Sequence, residues 1–172
     1  PTDKTIRDLR TLSRNLDPQR DARLNYRIIQ TLVQIKKPDL ALILLDRWIA
    51  YQPKAVTLLR WKASLLSQLG STSKALTIYD RAVQLQPNNI AMQLERVKAY
   101  LAIFDYPSAE TCLANMMSID DGARVASLTA MGQMYVGLGL NQRAAATFEQ
   151  LEQTGQAHDP GVLLAMGRAL AA

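Results

Sequence analysis

The sequence predicts an all-α chain built from repeated antiparallel helix pairs. Three observations carry that prediction. Pro53 and Pro87 stand 34 residues apart, each closing an apolar-periodic phrase, DRWIAYQP and DRAVQLQP. Ala41, Ala75 and Ala109 share the 34-residue spacing and Ala144 follows after 35; the phrases around them are PDLALILL, TSKALTIY, YPSAETCL and NQRAAATF. Ahead of each phrase lies a stretch of helical periodicity, from about Arg23 to Ile35, Val56 to Leu69, Ala91 to Ile103 and Ser127 to Leu138. Self-similarity at a fixed period of this length is the signature of stacked repeats.

The second block shows why each unit reads as two helices. Leu58, Leu59, Lys62, Ala63, Leu65, Leu66 and Leu69 recur at helical spacing. Gly70 then breaks the helix where a left-handed residue is favoured. Ser71 to Ser73 supply N-cap chemistry for a second helix, which carries Ala75, Leu76, Tyr79, Ala82, Val83 and Leu85. Pro87 ends the unit, because proline cannot continue a helix. Connections of a few residues force the two helices antiparallel. The small alanine lets them approach closely, and the larger residue one turn later fills the neighbouring gap.

A 34-residue unit with this punctuation resembles the tetratricopeptide repeat (TPR). Ala63, Leu66, Gly70, Ala75, Tyr79, Ala82 and Pro87 carry the match in the second block, and Met131, Gly132, Tyr135, Gly139, Ala144 and Phe148 in the fourth. The first matches at Leu32, Ala41, Leu45 and Pro53, the third at Tyr100, Tyr106 and Ala109. Trp48 and Met116 depart from it, standing where the family prefers a second alanine; Asp121 replaces the terminal proline of the third block, and Leu59 and Leu128 replace an early Trp. The resemblance implies a right-handed TPR superhelix, an α-solenoid, with repeats at 22–55, 56–89, 90–123 and 124–158. Residues 1–20, with Ile6, Leu9, Leu12 and Leu16 on one side, read as the second helix of a preceding repeat or an N-terminal capping helix. Residues 159–172, with Leu163, Leu164, Met166 and Leu170, read as the first helix of a further repeat or a C-terminal cap. Both ends point to a fragment of a longer array.

Composition narrows the function. With 48% hydrophobic residues in 172, the chain has enough apolar side chain to fold. One cysteine excludes an intrachain disulfide framework. No apolar run exceeds the six residues of Leu40 to Leu45, too short to span a membrane, so a soluble segment is expected, cytoplasmic or periplasmic. The net charge of +5 sits in residues 1–55, which carry eleven Lys/Arg against six Asp/Glu.

No residue set points to catalysis. His158 is alone in the loop QAHDP, and Cys112 falls among apolar neighbours with no histidine near it in sequence. The glycines of Gly137-Leu-Gly139 belong to an inter-helix turn, not a phosphate loop, and Asp120-Asp121 to the turn between blocks. The methionines sit at helical spacing and read as gap-filling core. The chain is expected to be no enzyme and to need no cofactor or metal.

By the geometry the resemblance implies, the first helix of every repeat lines the concave face. The inward positions are then Arg23, Tyr26, Arg27, Gln30 and Gln34; Thr57, Arg60, Trp61, Ser64 and Gln68; Ala91, Leu94, Glu95 and Lys98; and Ala126, Thr129, Ala130 and Gln133. The first half combines arginines with Tyr26 and Trp61, and the second is small and neutral. Guanidinium forks bind carboxylates bidentately, and rings add contact area at low entropy cost. Arg23, Tyr26, Arg27, Gln30, Arg60, Trp61, Ser64 and Lys98 are therefore the candidate partner-binding residues, for an acidic peptide or protein segment. The carboxylate clamp that some TPR proteins use for chaperone tails does not fit, because Tyr26, Gln30, Trp61, Ala91 and Glu95 occupy its places. The expected function is a protein-interaction scaffold within a larger assembly; as a family, such arrays serve bacterial envelope biogenesis, secretion and polysaccharide export. The alternatives are an RNA-binding helical repeat, a secretion-type chaperone, and self-association through exposed repeat ends. Confinement of the charge excess to one third of the chain argues against nucleic acid.

Overall fold

The computed structural model describes residues 20–155, together with Lys4, Arg7, Asp8, Thr11, Leu163, Leu164, Met166 and Gly167. The described residues form eight α-helices: α1 (Ala22–Gln34), α2 (Pro38–Tyr51), α3 (Val56–Gln68), α4 (Thr72–Leu85), α5 (Ile90–Ala102), α6 (Tyr106–Met116), α7 (Asp121–Gly137) and α8 (Asn141–Gln153). They fall into two compact units, Pro1–Gln86 and Pro87–Ala172. The expected helix over residues 3–16 and most of that over 160–172 lie outside the described residues, as does His158.

In the first unit α1 packs on α2, α2 on α3 and α3 on α4. The alanines that set the repeat are wholly enclosed: Ala41, Ala63, Ala75 and Ala82 have no exposed surface. Leu45, Trp48, Leu59 and Tyr79 are buried in the same unit. Trp48 is thus a core residue, enlarged where the second repeat has Ala82. In the second unit α5 packs on α6, α6 on α7 and α7 on α8. Its core runs through Val97, Ala109, Leu113, Met116, Leu128, Tyr135, Ala144 and Phe148. Gly132 is required there, since a Cβ on it would lie 2.4 Å from the Phe148 ring.

Among the described residues the first helix of each of the four pairs ends alike. Backbone N–H groups of Lys37, Ser71, Asp105 and Leu140 donate to the carbonyls of Leu32, Leu66, Tyr100 and Tyr135 at 2.8–3.0 Å. This cap requires a left-handed residue just before the donor. Glycine fills that position in two pairs, Gly70 (φ 76°) and Gly139 (φ 69°), but Lys36 (φ 56°) and Phe104 (φ 60°) fill it in the others. A side chain there costs about 1–2 kcal/mol.

Two local expectations change. Ser71 occupies the N-cap of α4 but makes no side-chain cap bond; the caps that do form are Asn89, Asp105 and Asp120, whose oxygens accept from the N–H of Met92, Ser108 and Ala123. The first helix of the fourth pair begins at Asp121 rather than near Ser127. Asp120 satisfies an orphan amide, and the Asp121 carboxylate sits at the positive end of the helix dipole, so the turn between blocks closes at Asp120 and the residues after it join the helix.

Proline carbonyls close the turns between pairs. Arg81 Nη2 donates to the Pro53 carbonyl at 2.6 Å. Gln93, buried, donates through Nε2 to the Pro87 carbonyl at 2.8 Å. Among the described residues no helix is long and apolar enough to cross a membrane.

Candidate functional site

In the first unit, α1 turns Ile28, Ile29 and Leu32 into the core and leaves Arg23, Tyr26, Arg27 and Gln30 exposed. The same periodicity on α3 buries Leu58, Leu59 and Ala63 and leaves Arg60, Trp61 and Ser64 half-buried. Tyr26 and Trp61 meet: their ring centroids are 4.8 Å apart with the planes inclined at 35°. A tilted aromatic pair contributes about 0.5–1.5 kcal/mol beyond its buried area. It also fixes two large rings that would otherwise lose entropy on binding. Tyr26 keeps 41% of its surface exposed, so the pair forms an apolar platform open to solvent.

Lys62, next to Trp61 in sequence, is taken up otherwise: its Nζ is bonded to Asp46 on α2. Gln34, Thr57 and Gln68 are also exposed. Lys98 lies on α5 in the second unit and is exposed there. In that unit the remaining inward positions give little to grip. Ala91 and Gln133 are exposed, Leu94, Glu95, Ala126, Thr129 and Ala130 are half-buried, and the Thr129 hydroxyl is spent on the Val125 carbonyl at 2.8 Å.

Sequence reading missed two features of the second unit. The first is a groove of about 760 Å³ where α6 and α8 end and α7 begins; Met117, Val125 and Leu128 are apolar in its lining, with Asp121, Arg124 and Gln150 polar. Its residues come from three separated segments, so no local motif announces it. The second is a polar knot. Tyr135 donates its hydroxyl to Glu110 Oε1 at 2.6 Å, and the Arg143 guanidinium lies 5.6 Å over the Tyr135 ring and 3.9 Å from Glu110. Burial raises the Tyr135 pKa above its usual value of 10.0; the Glu110 hydrogen bond and charge add to that, and Arg143 opposes it. Cys112 is buried in this core, where its Sγ accepts from Arg96 Nη2. No group of three or more His, Cys, Asp or Glu among the described residues is placed to hold a metal ion.

A sequence profile of the tetratricopeptide repeat matches residues 66–132, from the end of α3 into α7. Those 67 residues carry the tetratricopeptide-repeat pattern. Solved TPR structures share the fold. A putative kinesin light chain with nearly identical TPR-like repeats from Podosopora anserina aligns with a TM-score of 0.66 at 21% identity, covering 90% of this chain and 87% of that one. MamA from Desulfovibrio magneticus RS-1, residues 41 to the end, aligns with a TM-score of 0.64 at 19% identity, over 88% and 84% of the two chains. A TPR protein from Parabacteroides merdae aligns at 0.62 and 20% identity, over 95% of this chain and 67% of that one. At these identities the likeness concerns the fold alone. No curated protein matches the sequence.

Proposed function

We propose that this TPR chain is a non-enzymatic protein-interaction scaffold whose α1–α3 face takes an acidic peptide or protein segment. The observation that carries the reading is the solvent-open Tyr26–Trp61 pair, 4.8 Å between centroids, on the two helices that also bear Arg23, Arg27 and Arg60. The rings supply preorganised apolar area and the guanidinium groups supply forks for carboxylates. Gln30 and Ser64 add neutral hydrogen-bonding groups beside them. A TPR scaffold acts by holding one protein against another, so such a segment belongs to a larger assembly.

Fluorescence anisotropy with labelled peptides tests this reading. A mixture of peptides rich in Asp, Glu and apolar residues is titrated against the full chain, beside a Lys-substituted control mixture. Binding of the acidic mixture, weakened about tenfold or more by Arg23→Glu/Arg60→Glu, supports it. Equal binding of both mixtures, or indifference to the double variant, contradicts it.

A further inference from the structure

The outward side of α2 differs from those of α4, α6 and α8. Ile43 is 61% exposed and Tyr51 73%, and Ala50 is exposed beside them with Leu40 half-buried. Helical spacing puts Asp39, Leu40, Ile43, Arg47, Ala50 and Tyr51 on one strip, opposite the buried Ala41, Leu45 and Trp48. At the positions of Leu40, Ile43, Arg47 and Ala50, α4 carries Lys74, Thr77, Arg81 and Gln84, and α6 with its following turn carries Ser108, Thr111, Asn115 and Ser118. The corresponding residues of α8 are Arg143, Ala146, Gln150 and Gln153. A helix apolar on both sides has a second surface to cover.

The charges along the strip say what covers it. Asp39 stands at its start and Lys54 just past its end, both exposed, and Asp46 and Arg47 mark its middle. A two-fold axis between Asp46 and Arg47 would lay a second α2 antiparallel on the first. Ile43 then faces Ala50, Leu40 faces Pro53, Asp46 faces Arg47 and Asp39 faces Lys54, every pair occurring twice. Self-complementarity of this kind is what an isologous interface requires.

We infer that the chain pairs with a second copy of itself through the α2 faces, centred on Ile43 and Ala50 and put in register by Asp39–Lys54. The occupant differs from the acidic segment proposed for α1 and α3, and the surface differs from the array ends. One helix face with its rim is smaller than a standard stable interface, so the dimer is weak and transient.

Sedimentation velocity on the full chain tests the pairing through charge complementation. Wild type is expected to pass from monomer to dimer between roughly 10 µM and 1 mM. Ile43→Arg is expected to remain monomeric over that range. Asp39→Lys and Lys54→Asp each set like charges against each other twice and should weaken pairing about tenfold. An equimolar mixture of those two variants restores both attractions and should dimerise as wild type does. All three residues are exposed, and unchanged circular dichroism checks that the variants fold. A wild type that stays monomeric, a dimer indifferent to Ile43→Arg, or a mixture no better than its components overturns the inference.

Discussion

Tyr26 on α1 and Trp61 on α3 stack with their centroids 4.8 Å apart, joining the first helices of two successive repeats on a solvent-open face. The two residues are also the only aromatics among the predicted inward positions. Their contact makes one platform of what the sequence presents as separate side chains. A double-mutant cycle with Tyr26→Ala and Trp61→Ala should return a coupling of about 0.5–1.5 kcal/mol in urea unfolding. Strictly additive effects would show that the rings do not support each other.

The enclosed alanines set how closely the helices of a pair approach. Ala75 and Ala144 have no exposed surface. Ala75→Leu or Ala144→Leu should overpack its helix pair and cost about 1–3 kcal/mol by thermal or denaturant unfolding. Unfolding curves that superimpose on wild type would mean the alanines are not at the helix contact.

Phe104 holds a left-handed backbone, φ 60°, at a position where two other repeats use glycine, and its side chain is 75% exposed. Phe104→Gly should therefore stabilise the chain by about 0.5–1 kcal/mol, the relief of strain exceeding the added entropy of the unfolded chain. The edge contact of Phe104 with Tyr106, 6.3 Å between centroids, is lost and limits the gain. A lowered melting temperature would show that this contact outweighs the strain.

Gly132 and Phe148 are fitted to each other, since a Cβ on the glycine would lie 2.4 Å from the ring. Gly132→Ala should cost about 1–3 kcal/mol even though alanine favours helix. Adding Phe148→Leu, which makes room, should recover part of the loss; absence of any recovery would place the cause elsewhere.

The Tyr135 knot gives stability a pH dependence. Its phenol pKa is raised in the fold, burial being the largest cause and the Glu110 hydrogen bond the next. The unfolded chain therefore loses this proton first as pH rises. The contribution is fully present below the unfolded value of 10.0 and falls as pH climbs from there through the folded value. Stability measured between about pH 8 and 11 should decline less in Tyr135→Phe than in wild type. Parallel declines would remove Tyr135 as a contributor.

The helix pairs were legible because both of their causes are local. Apolar periodicity and proline punctuation are written in consecutive residues, and Ala41, Ala75, Ala109 and Ala144 mark the close contacts at each repeat. Glycine announced the left-handed cap in the second and fourth pairs, but Lys36 and Phe104 adopt the same conformation without it, because the surrounding hydrogen bonds are enough to hold them there. The early start of α7 was hidden by Asp120 and Asp121, residues that favour turns and helix starts alike. At the candidate site, helical spacing selected the exposed residues of α1 and α3, whereas the Tyr26–Trp61 contact depends on how two helices dock. The 760 Å³ groove and the Glu110–Tyr135–Arg143 knot gather residues from three helices each, a juxtaposition that only tertiary packing creates.

Binding of protein to the α1–α3 face is tested by a pull-down from lysate of the source cells, with and without nuclease, comparing wild type with Arg23→Glu/Arg60→Glu. The expected result is a protein partner that survives nuclease and is lost with the double variant. Capture abolished by nuclease, or a partner retained equally by the double variant, would rule that face out as the binding surface.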